Sequence, residues 1–400
     1  MRIFSGSKKR KEELILVFNI GSSSVGGALF WTQNSGSLEI PKIIFSINEP
    51  IPILEKVDLD QFLSLTIKTL QIVAQKIYEA RLGAPAKIFC VLSSPWHISQ
   101  TRIISFKKNT PFTFTEKLAD DLIQKEIKIF KEQHLKQYGS SIRAFELKNI
   151  KTILNGYETS RPLGQKAKEL EIAIFVSISG EQVLKKIEEA IMKYFHFEQI
   201  KFSSFTMALF TTTRDLKTLK ENFLLIDING ELTDIFIIKK GIPRESISFP
   251  LGQNFLTREV ASLLHTSLNE ANSLISLFKD GQAEEKLNKK LNPLMSKLKT
   301  EWLKNFQNSL ANLTHDISIP ATIYLVINEN LADFFTEIIK TEQFNQYTLT
   351  ESKFEVVFLD TKLLNGLAVF AQSAIREPSL IVDAVYINRF LIYPFNAGRI

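Results

Sequence analysis

The sequence predicts an α/β protein built from two similar halves that face one cleft. Three observations carry that expectation. Residues 14–30, LILVFNIGSSSVGGALF, read as strand, Gly-Ser-Ser-Ser turn and strand, because the apolar runs are rich in Ile, Leu, Val and Phe and too short for helices. Residues 223–238, FLLIDINGELTDIFII, repeat that pattern far along the chain. The chain also opens with three successive strands and then a helix, over 14–30, 38–45 and 59–78.

Each element follows from local pattern. Gly21 lets the first hairpin turn without a Cβ clash. The hydroxyls and N–H groups of such a tip can hold phosphate oxygens; a plain hairpin with a polar tip is the competing reading of one copy alone. The 59–78 helix carries Phe62, Leu63, Thr66, Leu70, Val73 and Ile77 at helical spacing, with Asp58 or Asp60 as its cap. Strand 87–92 contains the single cysteine, Cys90, which reads as a small core residue. Residues 99–106 alternate like a strand, and 116–133 form a charged helix capped by Thr113 or Thr115. Strand-like segments at 144–155 and 170–177 enclose a Gly/Pro-punctuated turn. Helices follow at 181–194 and 203–212. After the second hairpin come a strand at 242–249, a long helix at 291–313 with Trp302 and Phe306, a strand at 321–327 and a helix at 331–339. The segment from Val382 onward is interrupted by Pro394 and Gly398, and it suits a strand better than an interfacial helix.

Composition narrows the function classes. The 49 basic and 43 acidic residues leave a formal charge of +6 over 400 residues, a mild excess that permits contact with an acidic surface without implying nucleic acid. One cysteine allows no disulfide framework, which fits a reducing cytoplasm. The five histidines are far apart in sequence with no His-x-x-x-His pair, so no metal site is expected. No apolar run approaches ~18 residues, so no membrane span is expected. Residues 1–13 read as a mobile basic arm rather than a signal peptide, and Lys8, Lys9, Arg10 and Lys11 suit an anionic membrane surface.

The two hairpins resemble the phosphate-1 and phosphate-2 loops of the actin and Hsp70 ATPase superfamily, and within it the FtsA and PilM families. The residues that carry the likeness are Asn19-Ile-Gly-Ser-Ser-Ser-Val25 and Asp227-Ile-Asn-Gly-Glu-Leu-Thr-Asp234. Asn155-Gly-Tyr and Pro162-Leu-Gly carry a further likeness to the small subdomain inserted in those families. The resemblance implies two ribonuclease-H-like, actin-like ATPase domains flanking a cleft, with an inserted FtsA/PilM-type small α+β subdomain. The first half would span 14–98, continued at 178–222 and 366–400. The insertion would span 99–177 and the second half 223–365.

The same resemblance implies ATP with Mg²⁺ as cofactor and places its site on Asn19, Gly21, Ser22, Ser23, Ser24, Asp227, Asn229, Gly230 and Thr233. It assigns no catalytic residue and no metal ligand. Several of the family's nucleotide contacts are altered here. Asn19 stands where the family carries an acid that orders Mg²⁺, and it lacks the charge a hard dication prefers. Asn229 stands where the family has glycine; Asn tolerates positive φ, so the turn is expected to survive, but a side chain there crowds a phosphate. Asn272 and Ile275 replace the ribose-binding Glu and its Lys, and 324–330 lacks the glycines of the adenine loop. The reading therefore leans to a cytoplasmic adaptor, peripheral to the inner membrane, that has weak or no ATP binding. It would bind a peptide or filament of the bacterial division or pilus machinery, with self-association left open. An ATPase that polymerises or cycles with nucleotide is the alternative, and a small-molecule kinase of the superfamily is disfavoured. Trp96 and Tyr157 are candidate partner anchors, with burial in the core as the other reading of each.

Overall fold

The computed structural model describes residues 12–32, 40–138, 141–197, 199–214, 216, 220–313, 319–327, 329–341 and 353–391. The basic cluster Lys8, Lys9, Arg10 and Lys11, the first residues of the expected 38–45 strand, Asn328 and everything from 392 onward lie outside them.

In the first half, β1 (Leu14–Ile20), β2 (Ser24–Trp31) and β3 (Lys42–Pro50) form an antiparallel meander. Helix α1 (Leu59–Glu79) crosses over, and β4 (Lys87–Leu92) returns parallel to β1. Asp58 caps α1 by accepting from the Gln61 N–H, and the helix buries the apolar face expected of it. That face packs directly on β2: a Cβ on Gly27 would lie 2.5 Å from Ile77 Cδ1 and 2.9 Å from Val73 Cγ1, so any larger residue here would force those side chains to shift.

The insertion follows as β5 (Ile98–Thr113), α2 (Glu116–Tyr138), β6 (Ile142–Leu154), β7 (Tyr157–Glu158) and β8 (Lys166–Gly180), a sheet of order β5-β8-β6-β7 with its own apolar cluster around Phe130 and Ile174. Thr115 supplies the α2 cap to the Leu118 N–H. Strands β5 and β8 run longer than their sequence patterns suggest, because each is the other's antiparallel partner along nearly its whole length. The chain returns through α3 (Glu181–Met192), β9 (Ile200–Ser204) and α4 (Phe205–Thr213).

The second half contains β10 (Phe223–Ile228), β11 (Thr233–Lys239), β12 (Ile242–Phe249), α5 (Asn254–Leu264), α6 (Leu268–Lys279), α7 (Glu285–Leu313), β13 (Thr322–Ile327), α8 (Ala332–Thr341) and β14 (Glu355–Phe358). Short β15 (Val369–Phe370) and helix α9 (Pro378–Tyr386) then rejoin the first half. The first sheet has the order β15-β3-β2-β1-β4-β9 and the second β12-β11-β10-β13-β14. Apart from β15, the two share strand order and sense: an antiparallel meander on one side of the central strand and parallel strands on the other. The two-halves expectation is thus met at the level of topology.

Residues 382–391 correct the sequence reading: they are helical rather than a strand, α9 continuing into a π-type turn, Ile387–Leu391, while the rest of the expected segment, with Pro394 and Gly398, lies outside the described residues. Leu380 through Ile387 are all buried, in a cluster that includes Val17 and Phe89 of the first sheet and Phe223 and Leu225 of the second. A helix enclosed on every side is apolar on every side and loses the 3.6-residue periodicity that would identify it.

A buried carboxylate ties the insertion to this helix. Glu146 on β6 accepts from Ser177 Oγ at 3.0 Å, from the Ser204 N–H at 3.1 Å and Oγ at 2.5 Å, and from Tyr386 Oη at 2.9 Å. Trp96 is also part of the core rather than a partner anchor. It is 4% exposed, stacks on Phe62 at 5.2 Å, and donates its indole N–H to the Gly21 carbonyl at 3.0 Å. Tyr157, by contrast, is 80% exposed.

Candidate functional site

The two hairpin turns meet at the floor of the cleft between the halves. Strand β1 delivers Asn19 and the Gly21-to-Ser24 turn, while β10 delivers Asp227 and Asn229. The approach is at backbone contact. A Cβ on Gly230 would lie 2.5 Å from the Ser22 carbonyl oxygen across the two turns, and within the second half one on Gly252 would lie 2.3 Å from the Asn229 carbonyl oxygen. A cavity of about 350 Å³ opens above this floor. Asn19, Gly21, Ser23, Ser24, Asp227 and Asn229 line it, so most of the expected site residues are brought together.

The expected residues differ in what they do. Asn229 Oδ1 accepts from the Ser22 N–H at 3.1 Å, Ser22 Oγ at 3.2 Å, the Ser23 N–H at 3.0 Å, Ser23 Oγ at 2.9 Å and the Gly230 N–H at 2.8 Å. Five donors thus surround one carbonyl oxygen, which has two lone pairs. Its amide also hydrogen-bonds the Asp227 carboxyl. The anticipated crowding at this position is therefore complete occupation: the side chain sits inside the turn. The backbone reason offered for its tolerance does not apply, since neither Asn229 nor Gly230 has positive φ. Thr233 is not at the cavity. It is fully buried in the second half, donates to the Leu251 carbonyl at 2.7 Å and accepts from the Trp302 indole at 3.3 Å.

Charge around the floor is unusual. Asn19 Nδ2 donates to Asp383 Oδ2 at 2.7 Å, while Asp383 Oδ1 has no hydrogen-bond partner among the described residues. Burial pushes the Asp383 carboxyl well above the usual carboxylate range, against the lowering effect of Asn19. On the other side, Asp227 and Asp234 are directly paired across β10 and β11. Burial raises Asp227 far above its ordinary value, and the neighbouring Asp234 raises it further. Burial lifts Asp234 to about 6, opposed by hydrogen bonds from Ser248 and Ser94. A carboxyl held neutral by burial is a poor ligand for a hard dication.

A second tie, which the sequence did not single out, flanks the turns. Arg258 on α5 makes a bidentate pair with Glu231, at 3.0 and 2.6 Å, and donates to the Leu54 carbonyl of the first half at 3.3 Å. Asn254 donates to the same carboxylate at 2.8 Å, and the Glu231 N–H donates to Ser22 Oγ at 3.0 Å. Only the tertiary approach of α5 to the first half reveals it, since Glu231 and Arg258 are far apart in sequence.

These features can be set beside known proteins. No protein-family model matches the chain, and no curated protein sequence does either. Among solved structures it is similar to a PilM–PilN type IV pilus biogenesis complex, at 14% identity and a TM-score of 0.59, over 94% of this chain and 98% of that one. The chain has the actin-like ATPase fold in its PilM-like form. A Bacteroides thetaiotaomicron protein of actin-like ATPase fold and unknown function aligns at 9% identity and a TM-score of 0.43, over 93% of this chain and 95% of that one. The ethanolamine utilization protein EutJ from Carboxydothermus hydrogenoformans aligns at 11% and 0.40, over 94% and 89%.

The PilM-like fold implies ATP with Mg²⁺, and the residues present do not fit that group. The turn's donors are directed at Asn229, and Asn19 is committed to Asp383. Of the two positions expected at ribose, Asn272 is on the exposed face of α6 and Ile275 is buried in the second-half core. A base at the end of β13 would meet Ile327 and Asn330, with no bare glycine backbone among the described residues there.

Proposed function

We propose that this PilM-like chain is a non-catalytic adaptor that binds partner proteins at the cytoplasmic face of the inner membrane. The observation that carries the reading is Asn229: the turn that would receive phosphate is filled by the chain's own carboxamide. A chain that retains the two-halved body without a fitting ATP site acts through its surfaces. Likeness in fold to the PilM–PilN complex favours the pilus-assembly arm of the reading over cell division. The partner would be a short peptide from a membrane or filament protein, bound at the inserted subdomain. Two features support that subdomain: β5 and β7 end its sheet, and edge strands can pair an extended peptide. No helix among the described residues is long and apolar enough to cross a membrane. Membrane contact would then come through the basic residues Lys8 to Lys11 or through the partner.

Calorimetric titration of ATP with Mg²⁺ tests the nucleotide half of the proposal. No saturable heat is expected at millimolar ligand. A site with Kd near the ligand concentration stabilises by only ~0.4 kcal/mol, so thermal shifts should be small as well. Micromolar binding would overturn the adaptor reading in favour of a cycling ATPase.

A further inference from the structure

We infer that Asn229 is a built-in substitute for a bound anion: its carboxamide oxygen occupies the Gly21–Ser24 turn and latches the two halves closed without any nucleotide. The inference rests on the adaptor reading, since it assumes that no nucleotide cycle opens and closes this cleft.

Three observations converge on it. The donors gathered on Asn229 Oδ1 are two backbone N–H groups and two hydroxyls from the first half, plus the Gly230 N–H from the second. Successive N–H groups aimed at one point form a concavity that suits an anion, and here a neutral side chain fills it. The latch joins the halves rather than one hairpin to itself, because Asn229 is on β10's turn and every donor except Gly230 is on the first-half turn. The surroundings are built for closure: Gly230 presses on the Ser22 backbone, and the Arg258–Glu231 pair with its bond to Leu54 clasps the same junction from the side. A ligand phosphate in a nucleotide-driven relative would have to supply this bridge from outside. Here the bridge is covalently part of the chain, so closure carries no concentration dependence.

The full-length protein and three variants test this. Hydrogen exchange is followed in peptides covering 20–25 and 228–232, with and without inorganic pyrophosphate as probe. The parent should exchange slowly there and be unchanged by pyrophosphate. Asn229→Gly removes the plug, so exchange should rise about tenfold and millimolar pyrophosphate should restore protection. Asn229→Asp keeps the shape and offers the donors a real anion; it loses the amide bond to Asp227, whose carboxyl can hold the proton between the two acids instead, so it should stay close to the parent's protection and well above that of Asn229→Gly. Asn229→Ala should behave as the glycine variant without pyrophosphate. Far-UV circular dichroism of each variant separates local opening from global loss of fold, and the aspartate variant keeps the test decisive if the small residues unfold the chain. Unchanged exchange in Asn229→Gly would overturn the latch, as would protection of the parent by pyrophosphate. Neither outcome touches partner capture, and absent capture in a parent that passes these tests would fail the adaptor reading alone.

Discussion

The two hairpin turns at the cleft floor occupy equivalent places in equivalent sheets, yet they work in opposite ways. The first turn, Gly21 to Ser24, acts mainly as a donor: the N–H groups and hydroxyls of Ser22 and Ser23 all point at Asn229, while Ser22 Oγ also accepts from the Glu231 N–H. The second, Asn229 to Glu231, supplies what they point at. The strands behind them diverge in the same sense. Across β1 and β2, Asn19 faces Gly26 and carries no charge; across β10 and β11, Asp227 faces Asp234, two carboxyls that burial pushes above their ordinary values. Symmetry of topology therefore does not bring symmetry of chemistry. One half has kept the receptor, and the other has become its ligand.

The sharpest way to break this comparison is to insert a methyl group beside the hairpin of each half. Gly252→Ala places a Cβ against two backbone carbonyls, Asn229 at 2.3 Å and Gly230 at 2.4 Å, which cannot rotate away. Chemical denaturation should show a loss of about 3 kcal/mol or more, at the upper end for overpacking. Gly26→Ala instead meets the Leu380 side-chain tip at 3.1 Å, which can shift, so its cost should stay near or below about 1 kcal/mol. Equal effects would mean that the second-half turn is no more tightly seated than the first.

The paired acids give the second half a pH dependence of its own. Asp234 has a folded pKa of about 6 against an ordinary value of 3.8. The folded state therefore holds a proton that the unfolded state has released between those values, and stability from this group falls as pH rises from about 4 to 6. Over that window the loss is about 3 kcal/mol. His97 works in the other direction: burial lowers it to about 4, so its contribution grows as pH rises from about 4 to 6.5. The difference between parent and Asp234→Asn isolates the acid. Denaturation midpoints at pH 4, 5 and 6 should show the variant gaining on the parent as pH rises; parallel curves would remove the buried carboxyl from the account.

Asn19 offers a test on the opposite strand. Asn19→Asp restores an acid where the family resemblance expects one, but it faces the buried carboxyl of Asp383 at hydrogen-bond distance. Replacing a donor by a second acceptor should cost about 2 kcal/mol near neutral pH. Asp383→Asn in the same chain returns the donor–acceptor pair, so the double variant should recover most of the loss. Additive losses would show that Asn19 and Asp383 are not partners in this sense.

Much of this was legible in the sequence, and the misses have physical causes. The hairpins announced themselves because apolar strands interrupted by Gly and Ser leave a local signal, and Asp58 and Thr115 cap their helices as the pattern suggests. Helix α9 leaves no periodic signal because burial of every residue from Leu380 to Ile387 erases the contrast between its faces. Thr233 was placed at the site by its position in the motif, whereas its side chain turns toward Trp302. Asn229 was recognised as an obstacle, but not as a filler. That role depends on distances to Ser22 and Ser23, which are two hundred residues away in sequence only and adjacent in space.

The smallest effect expected on the fold, and the most informative for function, lies away from the cleft. Tyr157 is on β7 at one end of the inserted sheet and is 80% exposed, whereas Trp96, the other candidate anchor, is fixed beneath the Gly21 carbonyl. Tyr157→Ala should change stability by less than about 0.5 kcal/mol, as for a surface site without buried contacts. If the inserted subdomain captures a pilus or division peptide, an exposed aromatic is where binding energy concentrates, and its truncation should weaken capture by about tenfold or more. Trp96→Phe, which removes the indole N–H together with part of the buried ring, should perturb the turn and leave capture intact. Titration of the labelled cytoplasmic peptide of a candidate partner against the parent and the two variants reads both effects. Loss of capture with Trp96→Phe and none with Tyr157→Ala would move the binding surface from the insertion to the cleft, and with it the division of labour between the two regions.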